Sequence, residues 1–167
     1  YYEEKSLKQY NTYRVDTICK YLVYPKNSEE LINILKELKK ENIKYYFLGN
    51  GSNIILSMKY YDGVIIKLDK MNTINYDGNL VTADAGCSLI KLAMDTIDKS
   101  LSGLIFATGI PGQVGASTAM NAGAYNSDMA SAIKKVTILD ENLQIKELNN
   151  RDLLFSYRDS YLKKNPN

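Results

Sequence analysis

The sequence predicts a mixed α/β fold with a parallel beginning and an antiparallel continuation. Three observations carry this reading. A strand-like run at residues 20–24 is followed by an amphipathic helical stretch and a second apolar run at residues 43–48, the spacing of a parallel βαβ unit. Further on, Asp77-Gly78-Asn79 separates two short β-branched runs in the manner of a tight hairpin. Glu141-Asn142 separates another such pair. No internal repeat or low-complexity linker interrupts the chain.

Taken in order, KYLVY (residues 20–24) runs into Pro25, and Asn27 with Glu30 three residues later has the form of a capping box opening a helix. Leu31, Ile32, Leu35 and Leu38 mark one face of that helix, which should end near Asn42. Residues 43–48 then lead as a short strand into a Gly-Asn-Gly turn. Residues 54–56 and 64–68 read as further strands. Residues 73–76 and 80–84 form the first hairpin, and a second helix follows from Ser88 to about Lys99 with Leu89, Leu92, Ala93 and Ile97 inward. Residues 136–139 and 143–148 form the second hairpin.

Composition narrows the function classes. The 167 residues suffice for one domain, or two small ones sharing a core, since a chain of this size buries roughly 70% of its unfolded surface. A hydrophobic share of 45% with 24% charged residues indicates an ordered globule. The net charge is +2, and its 21 basic residues are dispersed among 19 acidic ones, so no nucleic-acid stripe is present. Tyr45-Tyr46 and Tyr60-Tyr61 read as packing residues rather than a base-stacking platform. Cys19 and Cys87 fit neither a disulfide framework nor a zinc spacing, which suits a reducing compartment. No apolar run approaches the roughly 18 residues of a membrane span and no signal peptide opens the chain. A cytoplasmic monomer that binds neither membrane nor nucleic acid is expected. The sequence contains no histidine, so catalysis must use other groups.

Two glycine-rich segments are the candidate binding loops. LGNGSN comprises Leu48, Gly49, Asn50, Gly51, Ser52 and Asn53. It is not a dinucleotide fingerprint: Ile54 stands at the third glycine position, and strand rather than helix is expected to follow. It is either an ordinary tight turn or a nest of backbone amides able to receive a pyrophosphate, with Ser52 and Asn53 as added donors. GIPGQVGA contains Gly109, Ile110, Pro111, Gly112, Val114, Gly115 and Ala116. Its small residues allow close approach to a flat ring or phosphate, or mark a proline turn that opens a tightly packed helix. Asn121, Gly123 and Tyr125 continue the theme in NAGAY, with the Asn121 amide able to address a heterocycle edge.

The ordered set NTYR (residues 11–14), LGNGSN, AGCSL (85–89), SGLIFATGIPGQVGA (102–116), MNAGAY (120–125) and FSYRDS (155–160) resembles the UDP-N-acetylenolpyruvoylglucosamine reductases of bacterial cell-wall synthesis, across nearly the whole chain. The resemblance implies a two-subdomain FAD-binding fold of the vanillyl-alcohol-oxidase type. A small βαβ subdomain would occupy residues 1–70, a larger and mainly antiparallel one residues 71–160, and residues 161–167 would form a tail. It implies that both glycine segments cradle FAD. It implies further that FAD takes hydride from NADPH and passes it from N5 to the enolpyruvyl group of UDP-N-acetylenolpyruvoylglucosamine, giving UDP-N-acetylmuramate.

Within that resemblance Arg158, in the family's YR-x-S motif, is the expected catalytic residue, gripping a carboxylate and stabilising enolate-like charge. Tyr157 is either packing or substrate lining. The family's proton-donating serine and its glutamate belong to a third domain expected to be missing, so this chain alone is expected to be inactive, and neither Ser160 nor Glu147 replaces them. Asp16, Thr17, Ala116 and Asn126 stand where family members usually carry glycine, and Thr17 would be strained if its position required a positive φ. Two alternatives are another flavin oxidoreductase of the same fold and a non-catalytic flavin- or nucleotide-binding module.

Overall fold

In the computed structural model, which describes residues 1–166, helix α1 (Ser28–Lys40) is fixed by its two ends. The Asn27 side chain accepts the Glu30 amide at 2.8 Å, while the Glu30 carboxylate accepts the Lys26 amide at 2.9 Å. The return bond therefore reaches one residue further back than in a capping box. At the other end Asn42 adopts a φ of 51°. Its amide bonds to the Lys39 carbonyl and that of Ile43 to the Leu38 carbonyl, the Schellman arrangement with asparagine in place of glycine.

The chain divides into two units, the first Tyr1–Asn72 and the second beginning at Thr73. The first holds a four-stranded sheet of β1 (Tyr2–Ser6), β2 (Ile18–Val23), β3 (Tyr45–Phe47) and β4 (Tyr60–Ile66), in the order β1-β2-β4-β3. β2 and β3 are both parallel to β4, which lies between them, so α1 crosses over a strand position that the sequence left unassigned. The reason is the content of β4. Val64, Ile65 and Ile66 are all buried, the continuous apolar run that a central parallel strand requires. β1 is an antiparallel edge strand whose charged sequence gave no strand signal.

Residues 54–56, expected as a strand, are irregular. Ile54 and Leu56 instead pack against the cluster of Leu7, Cys19, Leu22, Leu48 and Ile65. Tyr61 joins that cluster, whereas Tyr46 and Tyr60 are exposed, contrary to the packing role expected of them.

Tyr60 spans the sheet surface, its hydroxyl donating to the Glu4 carboxylate at 2.8 Å. That bond chiefly, with some burial and the Glu4 charge, pushes the phenol up to about 12 from an ordinary 10. Because the raised value favours the protonated phenol in the fold, its contribution is complete below pH 10 and is lost as pH rises through about 12. Burial raises Tyr24, Tyr61 and Tyr76 as well, so alkaline spectrophotometric titration should show a late-titrating group of phenolates that Tyr60→Phe reduces by one. An unchanged titration curve in that variant would contradict the bond.

The second unit divides its antiparallel content among three two-stranded ribbons instead of gathering it into one larger sheet. These are β5 (Ile74–Asp77) with β6 (Leu80–Ala83), β7 (Gly123–Ala124) with β8 (Ser127–Asp128), and β9 (Lys135–Leu139) with β10 (Ile145–Asn149). Both expected hairpins are present, the first turning at Gly78 with φ +55°. Helix α2 (Leu89–Asp98) starts at Ser88, whose hydroxyl accepts the Lys91 amide. Its inner stripe is Leu89, Leu92, Ala93 and Thr96, while Ile97 is 39% exposed. Seven residues after Leu89 lies nearer the stripe's centre than eight, and Thr96 tolerates burial by donating to the Ala93 carbonyl at 2.7 Å. Leu89 and Ala93 pack with Phe106, Ala107, Ala122 and Met129. Short helices α3 (Val114–Ala119), α4 (Met129–Ala132) and α5 (Tyr161–Lys164) complete the unit with two 3₁₀ turns, Ile105–Gly109 and Asn150–Leu153. Among the described residues no helix is long and apolar enough to cross a membrane, and no cluster could hold a metal ion. Cys19 and Cys87 are free thiols.

Candidate functional site

The glycine turn of the first unit leaves the sheet at the end of β3. The Leu48 amide still bonds to the Ile66 carbonyl, but the amides of Gly49, Asn50 and Gly51 have no partner among the described residues. Only Gly51 of the two glycines has a positive φ, +66°, so the turn is less of a paired-glycine nest than its sequence suggested. Gly51 is also sterically obligatory. A Cβ there would lie 2.6 Å from Asn11 Cα and closer still to the Tyr10 carbonyl oxygen.

The NTYR segment is what presses on it. Asn11 is buried, donates to the Leu7 and Val15 carbonyls at 2.8 and 2.9 Å, and accepts the Val15 amide at 3.0 Å. Thr12 in turn donates its amide to the Gly51 carbonyl. The segment thus becomes a buttress that closes one side of the turn.

GIPGQVGA behaves differently. Helix α3 is opened by it, as the proline-turn reading expects, and the Val114 and Gly115 amides are taken by the Cys87 and Ala85 carbonyls at 2.9 Å each. A Cβ on Gly115 would stand 2.7 Å from that of Ala85, and one on Gly112 would stand 2.8 Å from the Ser117 hydroxyl. These residues are fixed by internal packing. Gly109 is not, since nothing lies within 4 Å of its would-be Cβ and its φ is not positive. Gly109, Pro111 and Ala116 are exposed and Ile110 is half-buried. Next to Gly109 an open depression of about 480 Å³ is lined by Ser102, Gly103, Ile105, Phe106, Thr108, Tyr125 and Ser127.

Asn121, expected to face a ligand, has its amide committed to the chain. Its nitrogen donates to an Asp128 carboxylate oxygen at 3.0 Å and to the Ser156 carbonyl at 2.9 Å, and its oxygen accepts the Ala130 amide at 2.9 Å. Tyr125 and Asn126 are the two central residues of the β7–β8 hairpin, with φ of 52° and 59°. Asn126 thus occupies a left-handed position that asparagine tolerates, and Tyr125 projects outward, 87% exposed.

A second tight hairpin presents the catalytic candidate. Ser156 and Asp159 exchange both backbone hydrogen bonds, leaving Tyr157 and Arg158 at the tip. Tyr157 is 91% exposed, so it is not a packing residue. Arg158 has a φ of 54°, and its guanidinium makes no ion pair among the described residues. Ser160 and Glu147 serve structure, the former donating to the Ala119 carbonyl and capping α5, the latter paired with Lys135. Thr17 does not have a positive φ, and its buried hydroxyl donates to the Met58 carbonyl, so the feared strain is absent. Asp16 accepts the Ser6 hydroxyl, and Ala116 lies within helix α3.

One residue near the first turn escaped the sequence reading. Lys67, just after β4, is 3% exposed, and its ammonium lies 2.9 Å from the Gly49 carbonyl, 3.4 Å from that of Leu48 and 3.3 Å from Asp69 Oδ2. The signal available was a lysine directly continuing the apolar run Val64-Ile65-Ile66, where a buried strand would otherwise carry another hydrophobe.

The chain belongs to the FAD binding domain family, whose model matches residues 19–149. Its relatives narrow the class. It is 41% identical over 161 residues to the UDP-N-acetylenolpyruvoylglucosamine reductase of Caldicellulosiruptor saccharolyticus, covering 96% of this chain and 52% of that protein. To the enzyme of the same name from Francisella tularensis subsp. tularensis it is 42% identical over 161 residues, covering 95% and 56%. The crystal structure of the Thermus caldophilus reductase superposes with a TM-score of 0.78 at 31% identity, over 93% of this chain and 55% of that one. A Phl p 4 variant, a glucose dehydrogenase, shares the fold alone, with a TM-score of 0.64 at 14% identity over 84% and 32% of the two chains. The mixed α/β, flavin-binding fold implied by the motifs is thus the one found. The chain spans about half the length of the curated relatives it matches.

Proposed function

We propose that this chain holds FAD and is the flavin-binding part of a cytoplasmic, monomeric reductase that converts UDP-N-acetylenolpyruvoylglucosamine to UDP-N-acetylmuramate at the expense of NADPH. The observation that carries the proposal is the run of three amides at Gly49, Asn50 and Gly51 without partners among the described residues, in a turn that falls within the stretch matched by the FAD binding domain family. Adjacent outward-facing amides fit a diphosphate, which accepts several hydrogen bonds at once. In the second unit Gly109, which the protein's own packing leaves free to be any small residue, suits close approach of a flat ring. When bound, FAD supplies the hydride relay from NADPH to the enolpyruvyl double bond, and a proton completes the addition.

Arg158 suits the carboxylate of the enolpyruvyl group. An exposed guanidinium with no internal ion pair, held on a hairpin tip, offers two parallel donors to a carboxylate and can stabilise charge that develops beside it. The purified chain incubated with FAD should turn yellow, and NADPH should bleach it without oxygen. A chain that stays colourless after reconstitution would defeat the proposal. In a protein of the relatives' full length, Arg158→Ala should leave bleaching by NADPH intact and slow substrate-driven reoxidation by about 10²–10³-fold, the typical loss for one such donor. Equal reoxidation rates would remove Arg158 from the reaction.

A further inference from the structure

The ammonium of Lys67 donates to the carbonyls of Leu48 and Gly49 and forms an ion pair with Asp69 Oδ2 at 3.3 Å that is not a hydrogen bond. It also lies 5.5 Å from the centre of the Tyr10 ring, which closes over it. The side chain is buried, and both of its hydrogen bonds go to carbonyls of the turn itself. Its effect must pass through the peptide groups it holds.

Peptide planarity supplies the link. In a trans peptide the carbonyl of one residue points opposite to the amide N–H of the next. Bonds that turn the Leu48 and Gly49 carbonyls inward onto Lys67 therefore turn the Gly49 and Asn50 amides outward. Those amides belong to the trio without partners. On the opposite flank, Gly51 is pinned by the Thr12 amide and by the Asn11 backbone. The turn is thus held from two sides by the protein itself, before anything binds. Burial of a lysine is otherwise hard to account for here, because an apolar residue would serve a strand end at lower cost in desolvation.

We propose that Lys67 is a positioning residue that holds the Gly49 and Asn50 amides facing outward to receive a diphosphate. The inference rests on the flavin reading for the identity of the diphosphate carrier, but not for the geometry. Its test uses the purified chain with two probes, FAD and inorganic pyrophosphate, following both affinity and the amide NMR shifts of residues 48–53. The expected result is that each probe shifts the Gly49 and Asn50 amides, and that Lys67→Met weakens FAD by about tenfold or more through lost preorganisation. Lys67→Arg, which keeps charge and donors, should recover much of that loss. A purely structural lysine would lower the melting temperature and leave affinity and amide shifts unmoved, which overturns the proposal.

If pyrophosphate shifts these amides in a Lys67-dependent way while FAD does not bind, the flavin reading fails and the positioning role stands. If FAD binds and the Gly49 and Asn50 amides do not respond, the positioning role fails and the flavin reading stands. No response to either probe sinks both. Should Lys67→Met not fold, Lys67→Gln decides. Weaker FAD binding and altered Gly49 and Asn50 shifts with unchanged melting would support the role, because the amide has one donor fewer and no charge with which to hold both carbonyls, and a chain indistinguishable from wild type in affinity and shifts would overturn it.

Discussion

Gly51→Ala should destabilise the first unit by about 2–5 kcal/mol, combining the left-handed penalty of a Cβ with overpacking against fixed backbone. Both causes are visible: φ is +66°, and the new Cβ would press on Tyr10 and Asn11 main-chain atoms, which no side-chain rotation can relieve. Flavin binding should be lost with it. Two other glycines separate the causes. Gly78 has a φ of +55° but open space around it, so Gly78→Ala should cost only the conformational part, about 1–2 kcal/mol. Gly109 has neither problem, so Gly109→Ala should leave stability unchanged or raise it by about 0.4–1 kcal/mol, by restricting the unfolded chain. If a flavin approaches Gly109 closely, that variant should bind FAD more weakly while melting no lower. Denaturant unfolding followed by circular dichroism, with FAD titration beside it, reads all three. A Gly51→Ala chain as stable as Gly78→Ala would show that the turn can move away from Asn11.

This contrast explains which parts of the site were legible. Sequence shows where glycines occur but not which constraint each one meets, and LGNGSN and GIPGQVGA look alike on paper. In three dimensions Gly51 answers to both φ and space, Gly115 answers to the Ala85 methyl group, and Gly109 answers to nothing in the protein. Local signals were read well: the Asn27 and Ser88 caps, the Gly78 hairpin and, apart from Ile97, the helix faces all depend on neighbours within a few residues. What failed was long-range. The insertion of β4 between β2 and β3 depends on pairing across some 40 residues of chain, and a continuous apolar run does not announce its partners. The irregular course of Ile54 and Leu56 was hidden because apolar residues that pack from a loop look like those of a strand. Lys67 was missed for the complementary reason: a lone lysine reads as surface until its acceptors, two carbonyls nearly twenty residues earlier, are brought beside it.

Asn121 was legible as important but not in its role, and its replacement should have the other large effect. The side chain joins three segments: Ala130 at the start of α4, Asp128 at its cap, and Ser156 at the base of the hairpin that carries Arg158. Asn121→Ala strips a buried donor and acceptor set, leaving the Ala130 amide unsatisfied at about 1–3 kcal/mol and taking one of two donors from the Ser156 carbonyl, which keeps the Asp159 amide. It also puts alanine at a φ of 42°. A loss of about 3–5 kcal/mol in the second unit is expected, with faster hydrogen exchange at the Ser156 and Asp159 amides. Asn121→Asp is the sharper test. It keeps the acceptor for Ala130, removes both donors, and sets a second carboxylate against that of Asp128. Two carboxylates so close resist joint ionisation, so the native state of the variant binds a proton more readily than its unfolded chain does. Its deficit relative to wild type should therefore be largest near neutrality and shrink as pH falls through the raised carboxyl value. A pH-independent deficit would mean that Asp128 swings away and that Asn121 organises α4 alone. The Tyr157–Arg158 tip would then owe its position to its own two backbone bonds.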